Sequence, residues 1–281
     1  MSTSRNIKLL FFGDVIGRPG RQIIKTFLAR NPEIADLIVA NVENAAHGFG
    51  TSEANLEELQ SVGVTVFTGG NHTFDRKEIF EFIDKDNNVV RPANYPEGTP
   101  GKGYCLVSIA DGIKVAVVNI MGRVFMEPLR SPFLVADEII EQVKKETKII
   151  FVDFHAEATA EKVAMGWYLD GRVSAVVGTH THVQTADERI LPGGTAYLTD
   201  AGCCGPRDGV IGMDKESVFK RMIKQLPARF DVAAGPAIMC GVLYTIDSDT
   251  GKALSVQRMQ FIEGLDDTPE TQRVASAVVN N

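Results

Sequence analysis

Three times within its first eighty or so residues, the chain runs a short apolar segment into a polar, glycine-bearing loop and then into a helix-period pattern. Ile7 to Phe12 is closed by Gly13-Asp14, after which Ile23, Ile24, Phe27 and Leu28 recur at helical spacing until Pro32 stops them. Leu37 to Ala40 leads into loop 41–50 and a helix from about Ser52 to Val62, whose entry offers Thr51 and Ser52 as capping hydroxyls. Val64 to Thr68 leads into Gly69-Gly70-Asn71-His72 and an amphipathic segment through Ile79, Phe80, Phe82 and Ile83. Strands alternating with helices in this way predict a mainly parallel sheet covered by helices on both faces.

The middle of the chain continues the pattern. Tyr104 to Ile109 and Lys114 to Ile120 read as a hairpin about Asp111-Gly112, and a helix near Ala136 to Glu146 precedes the strand Ile149 to Phe154. A helix through Ala158 to Trp167 then leads to the apolar strand Val173 to Val177. Thr195 to Thr199, Ala237 to Ile246 and Ser255 to Ile262 carry β signal, and the expectation is that they form a second sheet, completing an α/β/β/α sandwich. Residues 1–265 read as one domain, and the polar, weakly patterned tail 266–281 is expected to be loosely attached.

Every one of the five histidines, His47, His72, His155, His180 and His182, sits just after an apolar strand candidate, in a loop that also holds glycine or polar residues. Ligands of α/β sheets bind where loops leave the carboxyl ends of strands, so these loops are expected to converge on one crevice. In His180-Thr181-His182 the i, i+2 spacing predicts two imidazoles on one side of an extended backbone. Asp14, Glu43, Asn71 and His155 arrive from separate loops with carboxylate, amide and imidazole donors. A lone Asp or Asn after a strand is usually a turn former, but the set together points to a metal. Nitrogen and oxygen donors without thiolate suit iron, manganese or zinc rather than a structural cysteine–zinc site.

Composition narrows the function classes. A net charge of −7 argues against an extended nucleic-acid surface, which needs clustered Lys and Arg. A chain of this charge that handles phosphate must reverse its sign locally, and bound cations do that. The sequence holds no run of eighteen apolar residues, Met1 to Asn6 leads straight into a strand rather than a signal sequence, and four cysteines make no CxxC pair. A cytoplasmic protein with reduced thiols and no membrane partner is the expectation.

Gly70-Asn71-His72 followed far downstream by Gly178-Thr179-His180-Thr181-His182, with an Asp after the first strand and an isolated His between, resembles the calcineurin-like metallophosphoesterase superfamily. The segments Phe12 to Gly20, Asn41 to Gly48, Arg91 to Pro96, Asp153 to Glu157 and Thr179 to Thr185 resemble its YmdB-type branch of bacterial cyclic-nucleotide phosphodiesterases. The likeness runs from the first strand to about Ile246. Where the wider superfamily has Asp-x-His this chain has Ile16, and where it offers Asp this chain has Glu43-Asn44; the YmdB branch shares both changes.

The resemblance implies the superfamily's α/β/β/α sandwich and two metal ions, divalent or trivalent, with iron the leading candidate and manganese or zinc the alternatives. Asp14, Glu43, Asn44 and His182 would hold one ion, and Glu43, Asn71, His155 and His180 the other, with Glu43 bridging. His72 would be the general acid, and the attack in line on phosphorus would come from a metal-bridging hydroxide. The implied substrate is a small phosphodiester, a 2′,3′- or 3′,5′-cyclic nucleotide. A phosphomonoesterase or nucleotidase on the same metals stays open, as does a regulatory protein that binds a nucleotide or an RNA-processing partner with incidental turnover, and so does assembly into a homo-oligomer. His47 is read as a loop-stabilising group before a substrate contact, and Arg18 and Arg123 are left outside the site.

Overall fold

The computed structural model describes residues 5–265, so the tail 266–281 lies outside the described residues. The chain opens in one sheet, crosses to a second and then returns. β1 (Asn6–Phe12), β2 (Asp14–Val15), β3 (Leu37–Asn41), β4 (Val66–Thr68) and β5 (Val89–Val90) begin the first sheet, with α1 (Gly17–Arg30), α2 (Glu53–Gln60) and α3 (Ile79–Phe82) between them. β1, β3, β4 and β5 pair in parallel, in that order.

The second sheet takes β6 (Tyr104–Ser108), β7 (Lys114–Met121), β8 (Ile149–His155), β9 (Ala175–Thr179), β10 (Arg189–Ile190) and β11 (Ala196–Leu198), with α4 (Pro132–Val143) and α5 (Thr159–Leu169) in the crossovers. β7, β8 and β9 are parallel, and β6 pairs antiparallel with β7 through the expected hairpin. β12 (Cys203–Pro206), α6 (Lys215–Met222), β13 (Ala237–Asp247) and β14 (Ala253–Ile262) complete the order.

Two expectations are corrected here. The long carboxyl-terminal strands do not build the second sheet: β13 lies antiparallel to β1 from Asn6↔Asp247 to Phe12↔Gly241 and joins the first. It covers the edge of β1 that β3 leaves open, which removes a row of unpaired backbone groups. Nor does either sheet carry helices on both faces. Each turns one face to helices and the other to its companion sheet.

The core follows that layering. Ile23, Ile24, Phe27 and Leu28 of α1 pack with Leu10, Phe12 and Phe67 on the outer face of the first sheet. Ile139 and Ile140 of α4 and Met165 of α5 pack with Val118, Val152 and Phe154 outside the second. Between the sheets lie Ile7, Leu9, Phe11, Val39, Val117, Phe151, Val177 and Tyr244. Period-2 alternation thus sends Leu10 and Phe12 outward and Leu9 and Phe11 inward along β1. Phe151 sits 5.2 Å from Phe11 and 5.7 Å from Tyr244, ring to ring, tying the sheets together. Truncating such a buried aromatic to alanine costs about 3–5 kcal/mol.

Because the sheets stack face to face, their parallel strands end at a common rim. Asn41, the last residue of β3, donates to Gly69 O at 3.0 Å and to Asp153 Oδ2 on β8 at 3.1 Å, linking loops of the two sheets there. The four cysteines are free and buried. Among the described residues no helix is long and apolar enough to cross a membrane.

Candidate metal centre

Each side chain of the site is delivered by a strand end. Asp14 follows β1, Glu43 and Asn44 follow β3, Asn71 and His72 follow β4, His155 closes β8, and His180 and His182 follow β9. Burial of the strand ends takes Asp14, Glu43, Asn44 and His155 to 2% exposure or less.

His155 shows what the arrangement demands. Thr179 Oγ1 donates to Asp153 Oδ1 at 2.7 Å, so its lone pair receives the Nδ1–H of His155 at 2.9 Å. A neutral His155 therefore turns a bare Nε2 inward. Glu43 Oε1 at 3.1 Å, Asn71 Oδ1 at 3.0 Å and His180 Nδ1 at 3.1 Å all converge on that one nitrogen. A single hydrogen does not satisfy three acceptors, whereas a cation does.

The other two imidazoles are tied in the same fashion. His180 Nε2 meets Glu157 Oε2 at 3.0 Å, and His182 Nδ1 meets the Ile211 carbonyl at 3.0 Å, so each keeps its outer N–H occupied and its inner nitrogen bare. Asp14 Oδ2 accepts from His180 N at 3.1 Å. Its Oδ1 is buried without a hydrogen-bond partner among the described residues, 3.8 Å from His182 Nε2. Glu43, His155 and His180 each offer one ligand atom within 4.8 Å of the others. The donor set fits metal ions, on the observation that inward-facing acceptors crowd together and one buried carboxylate oxygen is left orphaned.

Electrostatics point the same way. Burial alone would lower the His155 imidazolium, but the Glu43 carboxylate, with Asp14 and Asp153, outweighs it and lifts His155 to about 9. Burial alone would raise Glu43, yet His155 holds it down at about 2. With no cation bound, a proton on His155 takes a cation's place. Burial and then the neighbouring His155 push His180 down to about 3, and burial raises Asp14. Burial also raises Asp153, to about 6.

The structure gathers Asp14, Glu43, Asn44, Asn71, His155, His180 and His182, and His72 borders them, its backbone N–H donating to Glu43 Oε2 at 2.9 Å. Asn44 turns its Nδ2 toward Glu43 Oε1 and His182 Nε2, at 3.4 and 3.3 Å, so a ligand role requires its amide to rotate and present Oδ1. His47 stands apart, 3.4 Å from an Arg76 guanidinium nitrogen.

The expectation of an extended His-Thr-His segment is overturned. β9 ends at Thr179, and His180 and His182 adopt left-handed φ values of 96° and 65°, which turns the two rings to different partners. Several working residues do not stand out in the sequence as such: Asp153, Thr179 and Glu157, which orient imidazoles, and Asp75, whose Oδ2 lies 2.7 Å from His72 Nδ1. Asp153 carries a signal, since a carboxylate inside the apolar run Ile149 to Phe154 is costly to bury unless it orients something.

Comparison with known proteins agrees with this geometry. A family model described as YmdB-like protein matches residues 10–259. The 2′,3′-cyclic-nucleotide 2′-phosphodiesterase of Bacillus subtilis (strain 168) is 53% identical over 255 residues, covering 90% of this chain and 96% of that protein. A putative phosphatase/phosphodiesterase of Mycoplasma pneumoniae is 37% identical over 267 residues, covering 92% and 94%. Among solved structures, a hypothetical protein from Thermus thermophilus superposes with a TM-score of 0.87 at 38% identity, covering 91% of this chain and 99% of that one. A structure described as a novel phosphatase, from Mycoplasma pneumoniae, gives the same TM-score at 35% identity, covering 92% and 95%.

Proposed function

Since the chain belongs to the YmdB-like protein family and is a phosphodiester hydrolase, we propose that its substrate is a cyclic nucleotide and that two metal ions, iron before manganese or zinc, serve the reaction. The observation that carries this reading is the convergence of Glu43, Asn71 and His180 on the inward Nε2 of His155, beside the orphaned Asp14 Oδ1. The name of the Bacillus subtilis relative supports the substrate class.

Asp14, Glu43, Asn44 and His182 would hold one ion; Glu43, Asn71, His155 and His180 would hold the other, with Glu43 shared. When bound, such a pair lowers the pKa of water and offsets charge on the attacking and leaving oxygens. The chain's own residues do the rest. Glu157, Thr179 and the Ile211 carbonyl hold the three imidazoles in the tautomers that turn a lone pair inward. His72 Nδ1 lies 2.7 Å from Asp75 Oδ2, which leaves Nε2 as the position from which His72 would pass a proton to the departing alkoxide of the ribose. Phe49 meets the His72 ring edge-on at 4.9 Å and limits its rotation.

Purified protein loaded with iron, manganese or zinc and offered 2′,3′- and 3′,5′-cyclic nucleotides alongside nucleoside monophosphates tests the reading. Turnover of the cyclic diesters above the monoesters supports it. Preference for the monoesters replaces it with the nucleotidase alternative. The likeness to a bacterial hydrolase and the four free, buried thiols support a cytoplasmic enzyme.

A further inference from the structure

The loop that follows β7 leaves the second sheet at the rim of the metal centre. Met121 stands in register with His155, and Gly122 N donates to His155 O at 2.9 Å. Both ends of the loop are fixed by buried groups. Asn94 accepts from Met121 N at 2.9 Å and donates to Met121 O at 2.7 Å and Arg130 O at 3.2 Å. The buried carboxylate of Glu161 accepts from Arg123 N at 3.0 Å and from Val124 N at 3.2 Å.

Between these anchors Met126 N donates to Arg123 O at 3.3 Å, closing a turn in which Phe125 holds the third position with φ 63°. A positive φ at that position is the place of glycine, and a phenylalanine there is strained. Phe125 is also 88% exposed. A strained backbone and a solvated phenyl ring thus coincide on a base that is tightly determined, and such conflicts between local preference and observed structure mark functional positions.

The loop also shares a neighbour with the catalytic groups. Tyr95, next to the Asn94 that ties down this loop, meets the ring of Phe74 edge-on at 5.4 Å, two residues along the chain from His72.

We infer that Phe125 is the platform on which the substrate's nucleobase stacks while the cyclic phosphate sits at the metal centre. The inference rests on the cyclic-nucleotide reading above. Every base presents a π-face to a phenyl ring, so recognition of this kind binds the nucleoside without choosing among adenine, guanine, cytosine and uracil.

The test compares kcat/KM for guanosine 2′,3′-cyclic phosphate with that for glycerol 1,2-cyclic phosphate, which keeps the strained ring and lacks a base. In Phe125→Ala and Phe125→Leu the ratio of nucleotide to base-free substrate is expected to fall about tenfold, carried by KM, and in Phe125→Trp it is expected to be kept. An unaltered ratio in Phe125→Ala overturns the inference and leaves the functional reading in place. A changed oligomeric state on gel filtration with an unaltered ratio also overturns it, making Phe125 a contact between copies of the chain. A wild-type enzyme that turns over neither of these substrates nor a 3′,5′-cyclic nucleotide removes the functional reading and the inference with it.

Discussion

Lys162 Nζ donates to Asp200 Oδ2 at 2.5 Å, with both side chains buried beneath the loop that carries His180 and His182. The same oxygen of Asp200 accepts from Thr181 N at 3.2 Å and Thr181 Oγ1 at 2.7 Å, and the other accepts from Gly202 N at 2.8 Å. Thr181 is the middle residue of the segment whose neighbours have left-handed φ values, so Asp200 clamps that geometry from below. A buried ion pair gains little net stability, because desolvation opposes the attraction. Its use here is to hold two candidate ligands in place.

This asymmetry of partners orders two substitutions. Asp200→Ala strands the Lys162 ammonium in the interior and should cost about 3–5 kcal/mol. Lys162→Met leaves Asp200 its Thr181 and Gly202 donors and should cost less. Denaturant unfolding of the two variants checks the order, and an equal or reversed pair of losses would contradict it.

Gly70 is required by proximity rather than by backbone conformation. A Cβ there would stand 2.3 Å from Glu43 Oε2 and 2.4 Å from the His155 ring. Gly70→Ala should therefore displace both side chains and lower turnover by about a hundredfold or more, as a misplacement near 1 Å does. Steady-state rates with metal content measured on the same samples check this; near-native values for both would contradict it.

Protons compete with the metal. His155, lifted to about 9, holds a proton at neutral pH when no cation is bound, and metal uptake must expel it. Apparent affinity should rise about tenfold per unit between about pH 7 and 9, and calorimetry in buffers of different ionisation enthalpy should show about one proton released at about pH 7.5. The sign for stability is opposite. A raised histidine pKa stabilises the chelated protein fully below the ordinary value near 6.5 and loses that contribution as pH rises through about 9. Chelated protein should thus unfold at lower denaturant at about pH 8.5 than at about pH 6.5, and His155→Gln should flatten the difference.

Tyr244 is fully buried between the sheets, and its hydroxyl has no hydrogen-bond partner among the described residues. Removing an unsatisfied buried oxygen while keeping the ring that meets Phe151 should leave stability unchanged or raise it by about 1 kcal/mol. Thermal unfolding of Tyr244→Phe reads this directly; a large loss would mean that the hydroxyl is satisfied.

Much of this architecture is legible in the sequence because periodicity and punctuation are local. Ile7 to Phe12 ending in Gly13-Asp14, and Val64 to Thr68 ending in Gly70-Asn71-His72, announce strands that carry chemistry at their ends. Long-range partners are not local, so the strand character of β13 shows in its residues while its return to β1 does not. The left-handed turns at His180 and His182 are hidden for a related reason: Asp200 and Lys162 impose them against the preference of the residues themselves. Phe125 is equally invisible, because nothing in Arg123-Val124-Phe125-Met126 signals a turn with a positive φ.

Donor atoms from six separate positions, Asp14, Glu43, Asn71, His155, His180 and His182, gather at one rim, and on the proposed reading cations sit among them. Metal content per chain, measured on purified wild type and Glu43→Gln after loading with iron, manganese or zinc and gel filtration, tests this most directly. Wild type should carry about two ions and Glu43→Gln one or none, with unchanged circular dichroism. Wild type without metal, or a Glu43→Gln variant that keeps both ions, would contradict it.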